Sequence, residues 1–298
     1  MRGAVAGSTL DQASELSLVL PAKRSDRALA WVRDRHVLTA FIAGVVVAVC
    51  WRGAMLNSYT DLSGAILRDR SGVGAGEFLI IAVMLTIAFG LRDEEALSQS
   101  DLLAMALTGL AFAPPIRLAA IVPLTVVGVK FALKKDPRLS SMGQLFLALA
   151  FYEWLGPLVF HLISPIVLTA ETIAVQALLS PIGGFTRDGL VISGGSNGHS
   201  ISIEEACSAF HNLSSTMLIW ISLVKLETLT IKPIHYWLLA AMAGATVALN
   251  TARIALMAQS YELYEYWHDG AGGPIVSAAM LAAILSIFLI GRSLAEKH

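Results

Sequence analysis

Charge is scarce in this chain. Only 14% of its 298 residues are Asp, Glu, Lys or Arg, against roughly 25% in a soluble domain, which excludes a surface built to face water on every side. The 21 basic and 22 acidic side chains nearly cancel, and Lys and Arg collect in the amino-terminal tail and a few short loops. There is no basic face for nucleic acid. Cysteine is limited to Cys50 and Cys207, too few for a disulfide framework. Cys50 ends the apolar run Val46-Val47-Ala48-Val49 and reads as a packing residue, whereas Cys207 borders a polar loop. No His-Glu-x-x-His pattern and no paired Cys/His ligand spacing occurs. Internal repeats, heptads and low-complexity arrays are also missing, and one membrane domain is the simplest organisation.

What the chain does have is apolar length: 56% hydrophobic residues and a mean hydropathy of +0.68. Residues 1–35 carry Arg2, Lys23, Arg24, Arg27, Arg33 and Arg35. A positive region this long does not fit a cleavable signal peptide and reads as a retained cytoplasmic tail. Residues 36–298 read as a polytopic, all-α integral membrane domain. A hydrocarbon layer about 30 Å thick takes about 20 apolar residues per helix, and about eight spans can be assigned. They are Val37 to Trp51; Phe78 to Leu91, extended back through Gly72 to Gly76; Leu102 to Ala113; Leu118 to Leu133; Gln144 to Thr169; Ser208 to Val224; Ile234 to Ala258; and Pro274 to Ile290. The third and fourth, joined at Pro114-Pro115, read as a tight helical hairpin. The fifth is interrupted by Pro157 and Pro165 and continues as an amphipathic stretch to Leu179 that can lie along the interface.

With both termini inside, 15 of the 21 Lys and Arg fall on the cytoplasmic side. Only Arg52, Arg68, Arg70, Arg117, Arg187 and Arg253 face outward, and the positive-inside rule favours this topology over its inverse. The sidedness of the last three spans relative to one another depends only on two crossings after Cys207. The catalytic part is accordingly placed at about 180–298. Within Ser180 to Ala206, two alternating runs, Leu190-Val191-Ile192-Ser193 and Ser200-Ile201-Ser202-Ile203, flank the turn residues Gly194 to Gly198, which predicts a short β-hairpin in an outer loop. The capping-box pattern Ser202-Ile203-Glu204-Glu205 predicts a helix starting at Ile203, with Cys207 just past its first turn.

At a helix amino terminus the dipole favours a thiolate, and Glu204 and Glu205 oppose it, so activation of Cys207 needs a nearby cation or base. Arg253 lies near the outer end of the seventh span, where a guanidinium costs roughly 2.5 to 3.5 kcal/mol unless it is compensated. Asn250, three residues earlier, can orient it. His268 stands at the outer entrance to the last span, in Tyr264-Glu265-Tyr266-Trp267-His268. A thiol, a cation and an imidazole on one side of a membrane are the groups that a cysteine acyl-transfer site needs: nucleophile, oxyanion stabiliser and proton carrier. His211, four residues after Cys207, is a second imidazole on the same helix face, better suited to support than to proton transfer.

In these residues the sequence resembles the exosortase/archaeosortase family of membrane-embedded, transpeptidase-like cysteine enzymes. The carriers are Ala206-Cys207-Ser208, Asn250-x-x-Arg253 and His268-x-x-x-Gly272, in that order and each at a helix end. Ala209 stands where many relatives have Gly. The resemblance implies Cys207 as nucleophile, Arg253 as transition-state stabiliser and His268 as general acid/base, supported by Asn250, His211, Ser208 and Gly272. It also implies a bacterial inner-membrane location with the site facing the periplasm, and no metal or organic cofactor. The substrates implied are exported proteins bearing a carboxy-terminal motif, membrane helix and basic cluster, which are cleaved and often transferred to an acceptor.

A transporter or channel-like protein is the rival reading, using the intramembrane groups Glu153, His161, Asn250 and Arg253. Glu153 and His161, eight residues apart, would project to nearly one face of a regular helix. A serine enzyme is disfavoured because Gly194-Gly195-Ser196-Asn197-Gly198 lies in a predicted hairpin turn and not at a strand-to-helix elbow. A Glu-Glu-x-x-x-Arg metalloprotease is disfavoured too, since neither Glu94-Glu95 nor Glu204-Glu205 is followed by Arg at that spacing.

Overall fold

The computed structural model describes residues 35–47, 75–91, 97–111, 117–194 and 196–295. The tail before residue 35, Cys50, the Gly72 to Gly74 extension, Glu94-Glu95 and the Pro114-Pro115 turn lie outside the described residues. The rest is mostly helical: α1 (Arg35–Val47), α2 (Ala75–Phe89), α3 (Gln99–Ala111), α4 (Arg117–Ala132), α5 (Pro137–Ala150) and α6 (Gly156–Leu179), then a small sheet, then α7 (Ala209–Glu227), α8 (Pro233–Met257), α9 (Tyr261–His268) and α10 (Gly272–Ala295). Among the described residues, three helical segments are long and apolar enough to cross a membrane: Gly156–Ile182, Pro233–Met257 and Gly272–Leu294. Leu162, Ile166, Trp237, Leu289 and Ile290 project from them with no protein cover, an apolar surface that water would not tolerate at this extent. α1, α2 and most of α4 are apolar but shorter.

The expected fifth span is two helices. Asp136 caps α5 by accepting from the Arg138 and Leu139 amides at 2.9 and 2.7 Å, with Pro137 at the first helical position, where its missing N–H costs nothing. A single π turn, Phe151–Leu155, then joins α5 to α6. It breaks the regular 3.6-residue phasing that would have set Glu153 and His161 on one face. Pro157 sits in the first turn of α6. Pro165 leaves the His161 carbonyl without its usual donor, and the Ser164 hydroxyl supplies one at 3.2 Å, so α6 continues unbroken. The stretch after Thr169 is therefore part of one long helix that runs to Leu179.

Two apolar clusters hold the chain together. The larger unites α1, α2, α4, α5 and α7 through Leu38, Ile80, Phe131, Phe146 and Leu218. The second joins Val175 and Leu179 of α6 to Ile192, Ile201 and Ile203 of the loop region and Ile254 and Met257 of α8. Each of these buried aliphatic side chains contributes about 1.5–3 kcal/mol relative to exposure in water. Cys207, Phe210, Tyr264 and Trp267 pack against this second cluster. It is the foundation of the site.

The predicted hairpin is present, with a third strand added. β1 (Thr186–Asp188), β2 (Val191–Ser193) and β3 (Ser200–Ser202) form an antiparallel sheet in that order, with Ile192 opposite Ile201. Gly194 ends β2 at φ 128°, and a Cβ there would lie 2.8 Å from the Phe185 Cα, so only glycine fits. The sheet is docked on the end of α8: the Ser196 amide donates to the Gln259 carbonyl at 2.8 Å, and His199 Nε2–H donates to the Met257 carbonyl at 3.1 Å. The opposite end of the bundle collects cations. Lys225 donates to the Leu229 carbonyl at 2.8 Å, Arg292 faces Glu227 at 3.4 Å, and Asp101 pairs with Lys130 and Lys134.

Candidate functional site

The helix carrying the thiol starts later than the capping-box pattern suggests. The Ile203 amide is held in the sheet by the Leu190 carbonyl at 3.0 Å, and Glu204 is extended. A 3₁₀ turn, Glu205–Cys207, follows, and α7 begins at Ala209 with Ser208 as its cap. Cys207 is therefore the last residue before the helix. The cause is Glu171 of α6. Its Oε1 accepts from the Ser208 hydroxyl at 2.8 Å and from the Ala209 amide at 2.9 Å, so the helix start is anchored at Ser208 and not at Ser202. Ser208 and Ala209 are buried beneath it, and Glu171 itself is 8% exposed.

Asn250 and Arg253, on α8, reach to either side. The Asn250 side chain donates to the Cys207 carbonyl at 2.9 Å and its carbonyl oxygen accepts from Asn212 at 3.4 Å. Arg253 Nε donates to the Trp267 carbonyl at 2.9 Å; among the described residues its Nη groups make no hydrogen bond and no carboxylate pairs with it. One turn of α8 thus ties the thiol-bearing turn to the helix that presents His268. Burial pushes the Cys207 thiol above its ordinary value. A hydrogen bond from the Glu204 backbone and the Arg253 charge pull it down, while the Glu204 and Glu171 carboxylates push it up.

Sequence reading missed α9, the short helix that carries His268. The Ser260 hydroxyl caps it by accepting from the Leu263 amide at 3.2 Å, and His268 is its last residue. The Tyr264 ring stacks on the imidazole at 4.9 Å between centroids and 12° between planes. His268 Nδ1–H donates to the Asp269 carboxylate at 2.9 Å, since an ionised carboxylate can only accept. In a neutral imidazole this contact puts the proton on Nδ1 and leaves Nε2 as the acceptor. Burial pushes the Tyr264 phenol up, and the nearby Cys207 adds to the effect. Gly272 opens α10 against this helix: a Cβ there would lie 2.8 Å from the Trp267 Cα. Among the described residues, no hydrogen bond joins the Cys207 sulfur to His268 or to Arg253, so the three expected groups share one end of the bundle without being bonded at rest.

Four successive backbone amides at the nucleophile are already engaged. Cys207 N–H donates to Glu204 O at 2.9 Å, Ser208 N–H to Glu205 O at 3.2 Å, Ala209 N–H to Glu171 and Phe210 N–H to Ser208 Oγ at 3.2 Å. An oxyanion formed here would rely on side chains, and Arg253 is the cation beside it. His161 is exposed and faces Glu205 at 3.4 Å, at the edge of the same turn. His211 and Glu153 are half-buried on α7 and in the π turn. Glu171 and Asp269 went unassigned in the sequence. The first carried a signal, an ionisable residue within an apolar run; the second had only its place beside His268.

Among the described residues no group of His, Cys, Asp and Glu is arranged to hold a metal ion. Compared with protein-family models, with curated proteins and with solved structures, the chain shows no match.

Proposed function

We propose that this chain is an exosortase-like cysteine peptidase or transpeptidase of the bacterial inner membrane. In this reading it cleaves carboxy-terminal sorting tails of exported proteins at the periplasmic face. The observation that carries the reading is the double reach of α8: Asn250 grips the Cys207 carbonyl while Arg253 grips the Trp267 carbonyl, so nucleophile and imidazole are held by adjacent positions of one rigid helix. In this reading α1, α2, α3, α4 and α7, the α5–α6 pair counted as one, α8 and α10 make about eight crossings. The cation-rich end lies in the cytoplasm and the sheet and Cys207 lie outside, as the positive-inside rule requires. Surrounding lipid covers the exposed apolar faces.

His268 Nε2 takes the Cys207 proton as the sulfur attacks the scissile carbonyl, and Arg253 stabilises the oxyanion of the tetrahedral intermediate. As the C–N bond breaks, His268 returns the proton to the leaving amine, and the acyl group stays on sulfur as a thioester. An acceptor amine or water then attacks the thioester and regenerates the thiol. The placement of Asn250, buried and bonded on both sides, suits a site framework better than a translocation path. Mass spectrometry of a tailed protein encoded beside this chain tests the reading. A new carboxyl terminus between motif and helix is expected with the active chain, and an intact tail with and without the chain would overturn it.

A further inference from the structure

The sheet has two free edges, and they differ. In the β2–β3 ladder, Gly194 N–H donates to His199 O and Ile203 N–H to Leu190 O, and the register pairs Ile192 with Ile201. On β3, residues of odd number therefore turn their backbone groups toward β2, and those of even number turn them outward. The N–H and C=O of Ser200 and Ser202 face away from the sheet and find no partner among the described residues. Both residues are exposed, whereas Ile201 and Ile203 are buried. The Glu204 carbonyl, next in the outward series, accepts from Cys207 N–H at 2.9 Å, so the free edge ends where the turn that bears the thiol begins. The far edge, on β1, turns Arg187 outward by the same register. A charge of this kind guards an edge against pairing; β3 carries neither charge nor proline.

We propose that the outer edge of β3 is the docking strand for the substrate, an extended peptide segment that adds to the sheet and delivers its carbonyl to Cys207. This rests on the acyl-transfer reading above. The backbone groups of Ser200 and Ser202 match an extended chain and no other backbone shape, which is the logic of β-strand addition. At about 3.3 Å per residue, the free edge from Ser200 to Ser202 accommodates about three residues, a length that suits a short recognition motif. Ending beside the thiol, it sets which peptide bond is cut. The serine side chains leave specificity to the substrate face that meets α9.

Two variants separate the edge from the fold. Ser202→Pro removes one outward N–H and leaves the ladder to β2 untouched, while Ser202→Ala keeps that N–H. With the tailed protein encoded beside this chain as probe, processing is expected to fall on the order of tenfold in Ser202→Pro, the loss of about one hydrogen bond, and to stay near wild type in Ser202→Ala. Iodoacetamide labelling of Cys207 should be alike in both, reporting an intact site. In the inactive Cys207→Ser background, Ser202→Cys with a short thiol cross-linker should capture single cysteines at alternate positions of the probe's motif, because side chains alternate along a strand. Equal processing by the two Ser202 variants, or capture without a period of two, would overturn the docking strand. Periodic capture with no cleavage by the wild-type chain would instead contradict the acyl-transfer reading and leave the docking strand standing.

Discussion

Asn250 donates to the carbonyl of Cys207 across 2.9 Å, binding the turn that bears the thiol to the buried flank of α8. Replacing Asn250 by Leu leaves that carbonyl without its donor, at a cost of about 1–3 kcal/mol if it stays buried. The expected outcome is an inserted protein of lower melting temperature in detergent, with Cys207 labelled faster by membrane-impermeant maleimide because the turn has come loose. Unchanged labelling would mean that the turn is held by other contacts.

Glu171 separates structure from charge. Glu171→Gln keeps an oxygen for the Ser208 hydroxyl and the Ala209 amide but removes a negative charge that opposes thiolate formation. The pH midpoint for Cys207 alkylation is expected to fall in Glu171→Gln. Glu171→Ala strands both donors and is expected to lower thermal stability as well, by about 1–3 kcal/mol. If the Gln variant alkylates with the wild-type pH profile, the carboxylate does not act on the sulfur.

Arg253 acts in the opposite sense. A positive charge favours the thiolate, so Arg253→Ala is expected to raise the alkylation midpoint, leaving less thiolate at any given pH. Arg253→Lys should largely keep the midpoint yet lose processing on the order of 100-fold, because an ammonium cannot bond the Trp267 carbonyl and an oxyanion at once as a planar fork can. Full activity in the Lys variant would reduce Arg253 to an electrostatic anchor.

Gly272 tests the seating of α9. Gly272→Ala forces a methyl to within 2.8 Å of the Trp267 Cα, and backbone there cannot yield cheaply. A destabilisation of about 1–3 kcal/mol is expected, with processing lost while Cys207 alkylation is retained, because the displaced element carries the base and not the nucleophile. Normal processing would show that α9 shifts without consequence.

Much of this was legible in the sequence because apolar runs and β-alternation report directly on burial. α7, α8 and α10 agree with their expected bounds to within about five residues, and the strands pair about the expected turn. The failures share a cause: they depend on tertiary partners. Ser202-Ile203-Glu204-Glu205 reads as a helix start until the Leu190 carbonyl claims the Ile203 amide and Glu171 claims Ser208 and Ala209. Pro165 reads as a break until Ser164 supplies the donor that proline lacks. The helix Tyr261–His268 is too short and too aromatic to stand out from an interfacial belt. That Cys207 and α9 share one end of the bundle was legible from the two long apolar runs counted after Cys207, but the bonds that hold them there, Asn250 to Cys207 and Arg253 to Trp267, are visible only in the fold.

The most direct measurement is processing of the tailed protein by Cys207→Ala, read beside membrane insertion and yield. Cleavage through a thioester at this sulfur requires that the variant insert normally and leave the tail uncut. It also requires that the wild-type chain yield a hydroxylamine-sensitive adduct on the peptide containing Cys207. A correctly cut tail from Cys207→Ala would contradict the mechanism outright.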